Sequence, residues 1–419
     1  MAERKRIYLC LAHMSEDGAE QRYVKEAFDT NWVVPLGPNV NGFEKDLEEF
    51  CGQNKRVVAL SAGTAAVHLA LIACGVKAGD EVCVQSFTFC ASSHPITYLG
   101  ATPVFIDSER DTWNMDPELL EEAIKDRIAK TGRKPKAIVP VALYGMPYNV
   151  DRIMEIANRY DIPVIEDAAE GFGSRHNGQV LGTFGKYGVL SFNGNKMITT
   201  SGGGALITNN EDEWREIMMY ATQYRESYPY YQHEKIGFNY RMSNICAGIG
   251  RGQMTVVNRH IEHHKHVQKM YEELLADVPG IHVHTQPTTG EYDSNYWLCT
   301  ITIDEDVKIK GQENAYKTIV TGAVGGAAGV IHAASSAVTD CQPNDNVEAL
   351  RVFMDAAGIE ARPVWKPMHK QPVYKNCPAY VNGVSEAIFK IGMCLPAGPY
   401  VSDEDVNYIV DCIKDAIVA

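Results

Sequence analysis

The chain has 419 residues, 45% of them hydrophobic and 22% charged, with a formal net charge of −14. That balance excludes a mainly disordered chain, allows two domains with substantial cores, and lacks the basic surplus of a non-specific nucleic-acid binder, so a small-molecule ligand is expected. The 11 cysteines are scattered with no Cys-x-x-Cys pair, which favours buried free thiols in a reducing compartment over a disulfide framework or a zinc site.

Basic residues Arg4, Lys5 and Arg6 stand near the start, but the apolar run behind them is short and His13 follows without a small-residue cleavage site. No secretory leader is expected, and a cytoplasmic location is. Tyr23, Val24, Ala27 and Phe28 at helical spacing predict an amphipathic helix, which an extended stretch from Trp32 to Pro38 interrupts. Phe43, Leu47 and Phe50 predict a second helix. Apolar runs at 56–60, 81–84, 103–106, 137–141 and 163–165 then predict strands, separated by helical patterns such as 117–129 and 150–160. This alternation predicts an α/β fold with a mostly parallel central sheet, helices on both faces and a ligand at the strands' carboxyl ends.

A helical pattern over 243–275 carries the chain away from that sheet. Short strands at 281–283 and 297–303, a helix at 347–357 and a terminal helix predict a smaller C-terminal α+β unit. The division is 1–255 and 256–419, with an insertion at about 308–346. Within the insertion, Thr318 to Gly329 superficially resembles a nucleotide-binding glycine loop, but the glycine spacing and the remaining chain length do not suit one. The uncharged run from Thr318 to Thr339 is too weakly hydrophobic for a membrane span. His260, His263, His264 and His266 lack the order His-Glu-x-x-His and stand among Arg259, Glu262 and Lys265, so a solvated helix face is expected there, with no metal.

Two residues carry the chemistry. Asp167 ends the apolar run from Ile162, and Lys196 follows Ser191-Phe192-Asn193-Gly194-Asn195 ahead of Gly202, Gly203 and Gly204. A carboxylate at a strand end can keep a pyridine nitrogen protonated, and a lysine on a loop can bind an aldehyde covalently; together they suggest a pyridoxal phosphate site. Upstream, Ser61-Ala62-Gly63-Thr64-Ala65 passes from a strand into a helix. Gly63 allows close approach of the backbone, Thr64 is a candidate cap, and the helix start attracts a phosphate. A helix start without a ligand is the alternative. Ser191 is a candidate second phosphate contact or a solvated loop serine, and Phe89 a candidate to stack on a planar ring or a core aromatic.

Read together, these segments resemble the DegT/StrS family of sugar aminotransferases, which have the type I fold of pyridoxal-phosphate enzymes. The resemblance rests on Ala62 to Ala66, Thr102 to Asp107, Ile165-Glu166-Asp167-Ala168-Ala169-Glu170, Ser191 to Lys196 with Thr199 to Gly204, and Gly237-Phe238-Asn239-Tyr240-Arg241-Met242-Ser243. It implies that Lys196 holds pyridoxal phosphate covalently, that Asp167 pairs with the ring nitrogen, that Gly63, Thr64, Ala65 and Ser191 cradle the phosphate, and that Phe89 stacks on the ring. Glu170 stands near the ring hydroxyl, where many relatives have Gln or His. Asn239 matches a residue that reaches the neighbouring subunit's cofactor, implying a homodimer with shared sites.

The implied reaction moves an amino group from glutamate to a nucleotide-linked keto-sugar in amino-sugar biosynthesis. Glu170 and the Ser191 to Lys196 run resemble the subgroup that aminates UDP-2-acetamido-2,6-dideoxy-hexos-4-ulose; dTDP-linked keto-sugars and a non-catalytic binding protein are the alternatives. Relatives that dehydrate their sugar carry His where Lys196 stands. Pro35, Leu36 and Gly37 resemble a substrate-facing loop, as does the segment with Arg362, Lys366 and His369; Arg241 is a candidate for the donor's carboxylate or a structural ion pair.

Overall fold

The computed structural model describes residues 5–52, 54–316 and 341–418. The glycine-loop and membrane-run readings at 318–339 lie outside the described residues. Eight strands build one large sheet, in the order Arg56–Leu60, Gly204–Thr208, Tyr187–Ser191, Ile165–Asp167, Ile138–Val139, Glu81–Gln85, Thr102–Ile106 and Ala379–Tyr380. Its two four-stranded halves are joined through the parallel bridges Ile138 to Val164 and Val141 to Asp167. Gly204–Thr208 runs against both neighbours, and the other pairings are parallel.

Side-chain alternation along these strands separates two cores. Val57, Ala59, Cys83, Val104, Ile106, Ile138 and Leu190 face one layer of helices, whereas Val58, Leu60, Val82, Val84, Phe105, Val139 and Val189 face the other. Such double burial explains why the strands read as continuous apolar runs. The helix Val150–Tyr160 has the bounds its pattern predicts: Asn149 accepts from Arg152 N to start it, and Asp161 ends it in a left-handed conformation.

The helical pattern over 243–275 divides into Asn244–Met254 and Val257–Leu275. A third core packs the second of these helices against an antiparallel sheet of Ile281–Val283, Cys299–Ile303, Gly392–Leu395 and Arg362–Pro363, and against the terminal helix Asp403–Ala416. The C-terminal half also returns to the large sheet, where Ala379–Tyr380 pairs with Thr102–Ile106.

The expected solvated histidine face is corrected. His260 and His264 are 1% and 0% exposed, because this face of Val257–Leu275 packs inward; His266 alone of the cluster points out and meets Asp403 at 2.9 Å. No group of side chains suited to a metal occurs among the described residues, and no helix there is long and apolar enough to cross a membrane.

Candidate active site

The carboxyl ends of the parallel strands open into a cleft of about 300 Å³, lined by Gly63, Thr64, Phe89, Ser92, Asp167, Glu170, Ser191 and Lys196 among others. These eight residues come from four separate stretches of sequence and meet there because each stretch leaves the same edge of the sheet.

Alternation along Ile165–Asp167 sends neighbouring carboxylates to different tasks. Glu166 accepts hydrogen bonds from the amides of Gly182, Phe184 and Gly185 and thereby shapes the 182–185 loop. Asp167 lines the cleft, where Oδ2 accepts from Ser92 Oγ at 2.6 Å and Oδ1 from Ala169 N at 3.2 Å. Burial pushes the Asp167 carboxyl above its usual range, and the Ser92 hydroxyl opposes that rise. A cationic partner in the cleft would favour the charged carboxylate.

Lys196 leaves a turn closed by its own amide on Asn193 O at 2.9 Å. Its Nζ lies 3.4 Å from Glu170 Oε1 and 3.9 Å from the centre of the Trp297 ring, with the side chain 13% exposed. Glu170 is buried. Its other oxygen accepts from Tyr144 N at 2.7 Å, and its main-chain carbonyl accepts from Asn295 Nδ2 at 2.9 Å. Burial raises the Glu170 carboxyl, while the Lys196 ammonium lowers it.

The cradle is assembled from backbone. Gly204 pairs with Leu60 on one side and Ser191 on the other. The helix Gly63–Ala73 starts beside them, and its cap is Ala62 with no side-chain hydrogen bond. Thr64 therefore lies within the helix rather than capping it, and the orphan amides of the first turn, Ala65 included, have no oxygen supplied by the cap. A methyl group added at Gly63 would stand 3.0 Å from Ser191 Cβ, and one at Gly204 would stand 2.4 Å from Gly63 N. Backbone leaves no room for a side chain at Gly204, and one at Gly63 would displace Ser191, which stands opposite the helix start.

These residues fit pyridoxal phosphate. The helix start and Ser191 suit its phosphate, Asp167 its ring nitrogen, and Lys196 its aldehyde. Phe89 is 47% exposed in the cleft, 5.3 Å from Trp365, so it is available to a planar ring and is not a core aromatic.

Other predicted positions stand elsewhere. Asn239 is exposed and bridges to Thr222, outside its own chain's cleft. Arg241 pairs with Glu44 and donates to Ala59 O at 3.0 Å, so its guanidinium is already engaged. Pro35 and Leu36 are exposed, and the turn at Gly37 (φ 139°) packs on Asn244. His369 Nδ1 meets Ser86 Oγ at 2.6 Å, Arg362 pairs with Glu360, and Lys366 is half-buried; none lines the cleft, although Trp365 next to Lys366 does.

Ser92, Asn193, Asn195 and Trp297 are cleft residues that the sequence did not single out, and Trp365 belongs to the segment 362–369 expected to face substrate, in which Arg362, Lys366 and His369 were named instead. Asn193 and Asn195 were within reach, since they belong to the same motif as Lys196. Trp297 opens an apolar run that reads as core, and it is in fact buried while its ring face meets the Lys196 amine.

Comparison with known proteins gives what the chain is similar to. The profile of the DegT/DnrJ/EryC1/StrS aminotransferase family matches residues 14–323 and 312–414. EpsN of Bacillus subtilis (strain 168), assigned as a pyridoxal phosphate-dependent aminotransferase, is 40% identical over 98% of this chain and 95% of its own. A GDP-perosamine synthase of Caulobacter vibrioides is 35% identical over 96% of each chain. The crystal structure of a DegT DnrJ EryC1 StrS aminotransferase from Brucella abortus superposes with a TM-score of 0.80 at 26% identity, covering 95% of each chain.

Proposed function

The chain belongs to the DegT/DnrJ/EryC1/StrS aminotransferase family and is a pyridoxal-phosphate-dependent enzyme, and we propose that it moves an amino group from glutamate to the 4-keto carbon of a nucleotide-linked 6-deoxyhexose. The observation that carries this reading is the Lys196 amine 3.4 Å from Glu170 in the cleft that Asp167 and Ser191 also line. When bound, pyridoxal phosphate supplies a carbonyl that accepts an amino group from one substrate and delivers it to the next.

The protein's own residues do the rest. Lys196, once released from the cofactor, moves a proton to and from the reacting carbon, and Glu170 steadies its cationic form. Asp167 holds the charge that keeps the ring nitrogen protonated. The cradle at Gly63, Thr64, Ala65 and Ser191 fixes the phosphate and with it the position of the ring, and Phe89 covers one ring face. Lysine rather than histidine at position 196 supports amination over dehydration.

UDP-2-acetamido-2,6-dideoxy-hexos-4-ulose is the proposed acceptor, supported by Glu170 and the Ser191 to Lys196 run. A GDP-linked keto-sugar is the second reading, favoured by the identity with a GDP-perosamine synthase. Incubation with glutamate and UDP-, GDP- and dTDP-linked keto-sugars, read by mass spectrometry and NMR, tests the assignment. Amination of the UDP sugar in preference to the others supports it; conversion of non-sugar ketones alone overturns the substrate class.

Each site is completed by a second copy in this reading. Exposed Asn239 reaches the phosphate bound by its neighbour. Mixing inactive Lys196→Ala with inactive Asn239→Ala protein should restore activity through hybrid dimers, and a mixture that stays inactive counts against sharing.

A further inference from the structure

Tyr144 lies in the loop between Ile138–Val139 and Val150–Tyr160, buried, with a left-handed backbone of φ 54° and ψ 18°. A bulky side chain at positive φ persists only where its surroundings over-determine it. Here they do. The Tyr144 amide donates to Glu170 Oε2 at 2.7 Å, and the phenol oxygen accepts from Trp365 N at 2.7 Å. Its ring is nearly parallel to both cleft tryptophans, 15° from Trp297 at 6.5 Å and 17° from Trp365 at 6.2 Å.

The next residue tightens the arrangement. Gly145 has φ 95°, and a methyl group there would stand 1.8 Å from Asn295 Oδ1. Asn295 is the residue that donates to the Glu170 carbonyl. One left-handed turn thus aims an amide at the carboxylate beside Lys196 while its side chain holds the main chain of a cleft tryptophan brought in by the C-terminal half.

We propose that Tyr144 is a positioning residue whose hydroxyl sets Trp365 for the sugar in the acceptor half of the reaction, while its amide sets Glu170 against Lys196 for both halves. The inference rests on the nucleotide-sugar reading above. The hydroxyl serves the acceptor alone, because the donor half runs on Lys196, Glu170, Asp167, Phe89 and the cofactor cradle, with none of which the hydroxyl makes a hydrogen bond.

Tyr144→Phe tests this, since it keeps the ring and the amide and removes the acceptor for Trp365 N. The expected result is a rise in KM for the keto-sugar of about fivefold or more, from one lost buried hydrogen bond. The glutamate half-reaction, followed alone by loss of the visible band of the lysine-bound cofactor, stays within about twofold of wild type. Apoprotein carrying the substitution also binds the amino-sugar product more weakly in calorimetry, by about the same factor as the rise in KM. Unchanged sugar KM and product affinity, or equal slowing of both half-reactions, overturns the role of Tyr144 while leaving the proposed function standing. Wild-type protein inert to every nucleotide-linked keto-sugar overturns both.

Discussion

Ser92 donates a 2.6 Å hydrogen bond to Asp167 Oδ2, and Thr88 Oγ1 lies 2.9 Å from the same serine oxygen. The carboxylate proposed to pair with the cofactor's ring nitrogen is therefore held by a two-hydroxyl chain from the segment after Glu81–Gln85. A hydrogen bond to a charged acceptor stabilises the anion by roughly 1.5–3 kcal/mol, which opposes the upward push of burial. Ser92→Ala removes it, so the Asp167 carboxyl rises and holds its proton to higher pH. The acid limb of the kcat/KM profile should move up by about one unit or more. Asp167→Asn, which keeps the shape and removes the charge, should lower kcat by on the order of a hundredfold or more. A limb that stays in place in the serine variant would show that Ser92 does not tune Asp167.

The cradle gives a second prediction. Gly63 has no positive φ, so alanine is tolerated by the backbone, but its Cβ meets Ser191 Cβ at 3.0 Å and Ser191 Oγ at 3.3 Å. Ser191 must give way. Gly63→Ala should leave thermal stability within about 1 kcal/mol. It should weaken cofactor binding about tenfold, equivalent to roughly 1.4 kcal/mol, in a titration of apoprotein with pyridoxal phosphate. Unaltered cofactor affinity would place the phosphate elsewhere.

How far these residues were legible depended on how local their signal was. Gly63, Asp167, Ser191 and Lys196 each sit in a contiguous motif whose chemistry needs that residue type, so the sequence alone pointed to them. The strands Arg56–Leu60, Glu81–Gln85, Thr102–Ile106, Ile138–Val139 and Ile165–Asp167 were legible for the same reason, since burial on both faces makes each an apolar run, whereas Tyr187–Ser191 and Ala379–Tyr380 were not among the predicted strands. Gly204–Thr208 was missed, because Ala205-Leu206-Ile207 between a glycine and a threonine is too short to announce a strand, and nothing local says it runs backwards. Tyr144, Trp297 and Trp365 were not legible as site residues either. An aromatic in an apolar run looks like core until long-range packing brings 144, 297 and 365 together. The buried His260 and His264 were misread because the charged residues around them, Arg259 and Glu262, face solvent on the other side of the helix.

Arg241 yields a third prediction. Sequence reasoning offered it either to the donor's carboxylate or to a structural pair, and in the structure it is paired with Glu44, which also accepts from Ala59 N at 2.8 Å. Both side chains are nearly buried, at 9% and 11% exposure. Removing one partner strands a charge, at a cost of about 3–5 kcal/mol, whereas removing both costs less. Arg241→Gln should therefore lower the denaturation midpoint sharply, and Arg241→Gln with Glu44→Gln should recover much of the loss. If the single variant keeps wild-type stability and instead raises only the KM for glutamate, the guanidinium serves the donor.

The last prediction concerns acid stability. His264 is fully buried, with Nδ1 3.1 Å from Tyr296 O, and burial depresses its pKa from 6.5 to about 3. His260 is depressed to about 4, and His284, stacked on Trp113 at 3.8 Å, to about 3. A histidine lowered in the folded state takes up its proton on unfolding. Stability is thus indifferent to these groups above the ordinary histidine value and falls as pH drops below 6.5 toward the folded values. The slope approaches about 1.4 kcal/mol per pH unit for each fully protonating histidine. Buried Glu166, Asp167 and Glu170 are raised instead and act in the opposite sense around the carboxylate range, so the histidines are best read between roughly pH 5 and 6.5. Burial lowers His68, His263 and His369 as well, so denaturant midpoints measured across that window should fall steadily for wild type, and His264→Asn should reduce the slope by less than about a third. An unchanged slope in that variant would mean that His264 is not what senses the acid.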